Sequence, residues 1–193
     1  MKNKKILFLT QAAMIAALYV ILTEISNIFG LASSAIQIRF SEALTILPFF
    51  TPAAIPGLFT GCIISNLLVS ANIFDIIFGS IATLLGALGT YSVGRIARTK
   101  KIKLSSSDKT EKSARTALPK GKKIAVWLAP IPPMMANTFI IPFVLKYAYG
   151  LEPLWLFFLT VFAGEFISCG ILGIPLLFLL KKYERHLFNH YSS

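Results

Sequence analysis

The chain has 193 residues, of which 55% are hydrophobic and 14% charged, against roughly 25% charged in an ordinary soluble domain. Together with a mean hydropathy of +0.72, this excludes a soluble globular domain and a disordered chain, and two cysteines, Cys62 and Cys169, exclude a disulfide scaffold and a multi-cysteine zinc site. Nineteen basic residues against eight acidic ones leave a net charge of +11, a surplus that suggests nucleic acid until its distribution is read.

Residues 6–29 form the first apolar block, preceded by Lys2, Lys4 and Lys5. The order of basic residues, apolar run and Ala32-Ser33-Ser34 is also that of a signal peptide. The run is long for one, however, and removing it leaves an odd number of spans, so it reads as a membrane helix. Its Ala12/Ala16 and Ala13/Ala17 pairs are four apart, the spacing that lets helices approach closely in lipid. Residues 43–71 carry no charge but hold Pro48, Pro52, Pro56 and Gly57, a density that breaks a helix. As one straight helix the block would be about 44 Å long, well beyond the ~30 Å of hydrocarbon. It therefore reads as a short second helix, about 40–51, and a third, about 55–71. Residues 75–94, 124–145 and 153–180 supply three more spans. Gly57/Gly61/Ser65, Ala82/Gly86 and Gly164/Ser168 read as internal packing seams.

Three basic clusters stand out: the N-terminal lysines, eleven residues between Arg95 and Lys123, and Lys181, Lys182 and Arg185. The positive-inside tendency places all three in the cytoplasm, and anionic lipid is a cheaper partner for them than nucleic acid. The expectation is an all-α membrane protein of six transmembrane helices. Both termini are cytoplasmic, residues 1–193 are one integral membrane domain, and 96–123 is a flexible basic loop between the fourth and fifth helices. Trp127 and Tyr183 fall at the inner interface and Tyr147, Tyr149 and Trp155 at the outer one, as aromatic belts do.

Ionisable groups sunk in lipid are functional candidates by default. Glu24, Glu42, Asp75, Glu152 and Glu165 all fall toward the outer side, with Gln37, Arg39 and Asn66 at the same end. Asn137 lies about ten residues from the outer end of the fifth span and Glu165 about eleven into the sixth, so both sit roughly 15 Å deep. Two polar groups at one depth on adjacent antiparallel helices can line one cavity. Pro130, Pro132, Pro133 and Pro142 surround Asn137, marking a broken helix of the kind that borders a cavity rather than lipid. The alternatives are structural: an interhelical hydrogen bond for Glu165, Asn66 or Asn137, a helix cap for Asp75, an Arg39–Glu42 pair, and a solvated loop for Glu152. No P-loop, H-E-x-x-H, G-x-S-x-G or dinucleotide fingerprint occurs, and both histidines, His186 and His190, are in the tail. Neither catalysis nor a metal or cofactor is expected.

Three stretches, QIRFSEALTILPFFTPAAIPG from Gln37 to Gly57, DIIFGSIATLLG from Asp75 to Gly86 and GEFISCGILGIP from Gly164 to Pro175, resemble the QueT family, the substrate-binding (S) components of energy-coupling-factor transporters. The alanine face of the first span resembles the family's Ala-x-x-x-Ala docking motif; the long basic loop is a departure from it. The resemblance implies a six-helix S-component bundle in the bacterial plasma membrane, with a pocket opening outward. It implies a coupling membrane protein and two ATPase subunits as partners, docked through Ala12, Ala13, Ala16 and Ala17, and delivery of the cargo by toppling. The implied ligand is queuine or 7-aminomethyl-7-deazaguanine. A carboxylate can accept the ring's N1–H and 2-amino donors together, and Glu165 is the choice for that. Asn137 would donate to the ring carbonyl, Asp75 or Glu42 would answer an aminomethyl cation, and Phe40 and Phe139 would stack; Arg39, Gln37, Asn66 and Glu24 complete the expected pocket. The alternatives are an S component for another vitamin-like molecule, a solitary ion-coupled transporter, and a membrane enzyme acting on lipid.

Overall fold

A computed structural model describes residues 2–31, 38–69, 72–107 and 120–187. They form α1 (Lys2–Ile28), a 3₁₀ segment (Phe40–Phe49), α2 (Ala54–Val69), α3 (Ile73–Ser107), α4 (Lys120–Leu128), α5 (Ile131–Tyr149), α6 (Leu154–Glu165), a π segment (Phe166–Leu172) and α7 (Gly173–Leu187). No strand occurs among them. Four stretches are long and apolar enough to cross a membrane: Lys4–Ile28, Ile73–Ala97, Ile124–Tyr149 and Leu154–Tyr183. The chain is an all-α, multi-pass membrane protein.

Side-chain pairings give the direction of each pass. Tyr19, Thr23 and Ser26 of α1 bond Glu42, Ser41 and Phe40 in turn, so the 3₁₀ segment runs back along α1. Positions Gly57 and Gly61 of α2 meet Ala12–Ile15 and Ala16–Tyr19, so α2 runs parallel to α1. Thr83 meets Cys62, and Asn66 reaches Asp75, which turns α3 the other way. Asn72 of the α2–α3 connection bonds Ala148, and Thr90 bonds Ala129, which makes α5 antiparallel to α3. Six alternating passes result, the last being the continuous α6, π segment and α7. The start of α1, the end of α3 and the end of α7 therefore share one end of the bundle.

The second pass differs from the expected short α-helix. It is 3₁₀ throughout, with Pro48 inside it, and the tighter winding gives ten residues about 20 Å of reach. The basic segment also begins as helix: α3 continues to Ser107 and α4 starts at Lys120, while residues 108–119 lie outside the described residues. At 35 residues α3 is about 52 Å long, so its basic C-terminal part extends past the hydrocarbon.

Small residues hold the passes together, because lipid offers no hydrophobic drive between helices and close backbone contact replaces it. A Cβ on Gly57 would lie 2.7 Å from the Ala12 carbonyl oxygen, and one on Gly61 would lie 2.8 Å from the Tyr19 Cβ. Gly86 does the same against Pro133, at 2.7 Å from its Cα. At the basic end, Phe49, Phe50, Ala97, Val126, Ala129 and Leu177 pack into a plug. Trp127, Tyr147, Tyr149, Trp155 and Tyr183 are all exposed at the two ends, as belt residues should be.

Candidate functional site

The first requirement of the site is that the 3₁₀ segment stay pinned to α1. Thr23 donates to Ser41 Oγ at 2.8 Å and the Phe40 amide donates to Ser26 Oγ at 2.8 Å. Thr45 Oγ1 returns to the Glu42 carbonyl at 2.6 Å. These bonds turn the Glu42 side chain into the bundle, where only 3% of it is exposed. From the opposite side, the last pass changes from α to π winding immediately after Glu165. Such bulges re-aim side chains and are frequent at functional sites.

Glu42, Asn137 and Glu165 meet at the centre. The Asn137 amide donates to Glu165 Oε1 at 2.9 Å and to Glu42 Oε2 at 3.4 Å. Tyr19 donates its hydroxyl to Glu42 Oε1 at 2.5 Å, and the Cys169 thiol donates to Glu165 Oε2 at 3.2 Å. A small cavity of about 20 Å³ lies here, lined by Arg39, Glu42, Gly79, Thr83, Asn137, Ile141, Val161 and Glu165. Its volume is that of about one water molecule. A second polar relay adjoins it: Arg39 donates to Asn66 Oδ1 at 3.4 Å, and Asn66 donates to the Asp75 carbonyl at 3.3 Å.

Other candidates fall elsewhere. Asp75 is buried but is not among the lining residues, and the cap of α3 is Asn72, whose Oδ1 accepts from the Phe74 amide at 3.0 Å. Glu24 is half-buried on α1, and Phe40 half-buried at the start of the 3₁₀ segment; neither lines the cavity. Phe139 departs from the stacking expectation: it is exposed and packs edge-on against Phe158. Being two residues from Asn137 places it on another face of α5, in an apolar groove of about 420 Å³ shared with Phe74, Phe78, Phe143 and Tyr147. That groove has almost no polar group to orient a ligand. Gln37 lies outside the described residues. Glu152 is exposed and pairs with Lys146 at 3.7 Å.

The two alanine pairs separate. Ala12 and Ala16 are buried against α2, whereas Ala13 and Ala17 are exposed on the outside of α1.

Thr83 lines the cavity, and Tyr19 and Cys169 bond the Glu42 and Glu165 carboxyl groups from behind it, although none of the three was among the expected residues. A signal for two of them exists. Ala12, Ala16, Tyr19, Thr23 and Ser26 recur at helical spacing on one face, and Cys169 stands four residues after Glu165. Among the described residues, Glu42, Glu165 and Cys169 bring three metal-ligating atoms within 4.8 Å of one another. Each of these side chains is already engaged in a protein hydrogen bond, which fits a polar recognition pocket better than a metal centre.

Comparison with known proteins adds identity to this geometry. Residues 9–182 match the family described as QueT transporter. The queuosine precursor transporter QueT of Lactococcus lactis subsp. cremoris (strain MG1363) is 39% identical over 85 residues, which cover 44% of this chain and 50% of that protein. The chain thus aligns with about half the length of this curated relative. No solved structure matches the chain.

Proposed function

The chain belongs to the QueT transporter family, and from that premise we propose that it is the substrate-binding membrane subunit of an energy-coupling-factor importer whose cargo is a 7-deazaguanine precursor of queuosine. It is a transporter of the cell membrane and not an enzyme. The observation that carries the finer reading is the buried Glu42–Asn137–Glu165 constellation. Two carboxylates and an amide in a dry bundle suit a flat ring with several N–H donors. Glu165 accepts the N1–H and 2-amino pair, where a charge-assisted bidentate contact is stronger than in water. Asn137 meets the ring carbonyl. The relative's name supplies the cargo class, and the pocket supplies a chemistry that agrees with it.

Coupling to ATP needs a surface for a partner. The exposed Ala13/Ala17 pair on α1 is the one left free by the α1–α2 seam, and we assign docking of the coupling membrane protein to it. After docking, the bundle tilts in the membrane and releases its cargo inward. The test is uptake of tritiated queuine by cells expressing the chain with and without the coupling protein and its two ATPases. Accumulation is expected only with the module; uptake that ignores it contradicts the coupling, and no uptake in either arm contradicts the cargo.

A further inference from the structure

The aromatic groove between α3 and α5 lies apart from the polar site and has rigid walls. The two helices are pinned on either side of it. Toward the basic end of the bundle Gly86 leaves no room against Pro133, where an added Cβ would lie 2.7 Å from the proline Cα. At the opposite, outer end Asn72 donates to the Ala148 carbonyl at 3.0 Å. Between these pins Phe74 and Phe78 stand stacked on α3, with ring centroids 6.4 Å apart and planes 8° from parallel. Across from them Phe139 and Phe143 are both held edge-on by Phe158 of α6. The two walls keep about 420 Å³ open. The opening is toward lipid: Phe74, Phe78, Phe139, Phe143 and Tyr147 are between 43% and 79% exposed, and all five lie in membrane spans.

Water finds no polar partners in such a groove, and a polar small molecule finds nothing to orient it. Left void, the rings would forfeit their dispersion contacts on one side. Hydrocarbon suits it, and the bilayer lies against this face already. From Phe139 to Tyr147 the groove follows α5 for about 12 Å, close to the ~15 Å of one leaflet. It ends at Tyr147, which is 79% exposed at the outer interface, where a phenol can meet a lipid's ester and phosphate oxygens. We propose that the groove binds one acyl chain of an outer-leaflet phospholipid, with the lipid's polar end at Tyr147. A chain moving from bilayer to protein gains no hydrophobic free energy. What retains this one is close contact with walls that are already fixed, so that no ordering of the protein opposes binding. The site is separate from the polar cavity and stands whether or not the cargo and coupling readings hold.

The experiment is native mass spectrometry of the full chain purified in a mild detergent. One phospholipid per chain is expected to survive purification. Ala148→Trp fills the outer mouth of the groove and is expected to lower the retained lipid by about tenfold, the scale on which overfilling a packed space acts. Leu67→Trp, at an exposed position of α2 outside the groove, is expected to leave retention unchanged. Adding phospholipid to delipidated wild type is expected to raise its thermal midpoint, and to do so far less in Ala148→Trp. Absence of bound phospholipid in the wild type, a free fatty acid or detergent in its place, equal retention in Ala148→Trp, or equal loss in Leu67→Trp overturns the inference. Loss of module-dependent uptake in Ala148→Trp with no lipid on the wild type assigns the groove to a protein partner and overturns it as well. Should Ala148→Trp fail to fold, Phe143→Ala removes part of one wall, and unchanged retention in that variant overturns the assignment to this groove.

Discussion

Asn137 donates to two carboxylates at once, so its removal has a different consequence from the removal of either acid. Asn137→Leu takes away the bridging donor and leaves two buried carboxyl oxygens without their shared partner. An unsatisfied buried polar group costs about 1–3 kcal/mol, more when charged. The thermal midpoint of the purified protein is expected to fall by at least about 4 °C, read by intrinsic fluorescence in detergent; an unchanged midpoint contradicts the bridging role. At this scale the Asn137–Glu165 contact was legible in the sequence. Both sit about ten residues from the same end of adjacent helices, and the fixed rise per residue turns that count into equal depth. The Tyr19–Glu42 bond was not legible, because it depends on how the chain returns along α1, which no local spacing encodes.

Between elements, the seams make the sharpest distinction. Gly57 and Gly61 have no room for a side chain against α1, whereas Ala13 and Ala17 face outward. Gly61→Val is expected to lower the thermal midpoint and the yield of folded protein in size-exclusion chromatography, since the added carbons meet the Tyr19 Cβ and the α1 backbone. Ala13→Leu and Ala17→Leu are expected to leave the midpoint and ligand affinity unchanged while reducing module-dependent uptake several-fold. If they leave uptake intact, docking is not at this face. The break at Pro48, Pro52 and Pro56 follows from the missing donors of proline. Whether the short piece winds as α or 3₁₀ does not follow, because the surrounding side chains decide it: Ser26, Thr23 and Tyr19 each fix one of its first residues. The π winding after Glu165 is likewise a tertiary effect, and nothing in Phe166–Leu172 announces it.

For the whole molecule, alternation of the six passes brings the start of α1, the basic end of α3 and the end of α7 to one end, and the positive-inside tendency makes that end cytoplasmic. Both native cysteines are buried, so introduced ones can report sidedness. In intact cells a membrane-impermeant maleimide is expected to label Glu152→Cys, and to label Lys182→Cys, exposed at the end of α7, only after permeabilisation; the reverse pattern contradicts the topology. Charge distribution made this much readable, since each basic cluster follows or precedes a span and the count between clusters must be even. The most direct measurement is equilibrium binding of radiolabelled 7-aminomethyl-7-deazaguanine to the purified wild-type chain and to Glu165→Gln. Saturable one-to-one binding by the wild type and a loss of about ten- to a hundredfold in the variant, with its thermal midpoint retained, are expected if Glu165 accepts the donor edge of the ring. Equal affinity in the two proteins would contradict it.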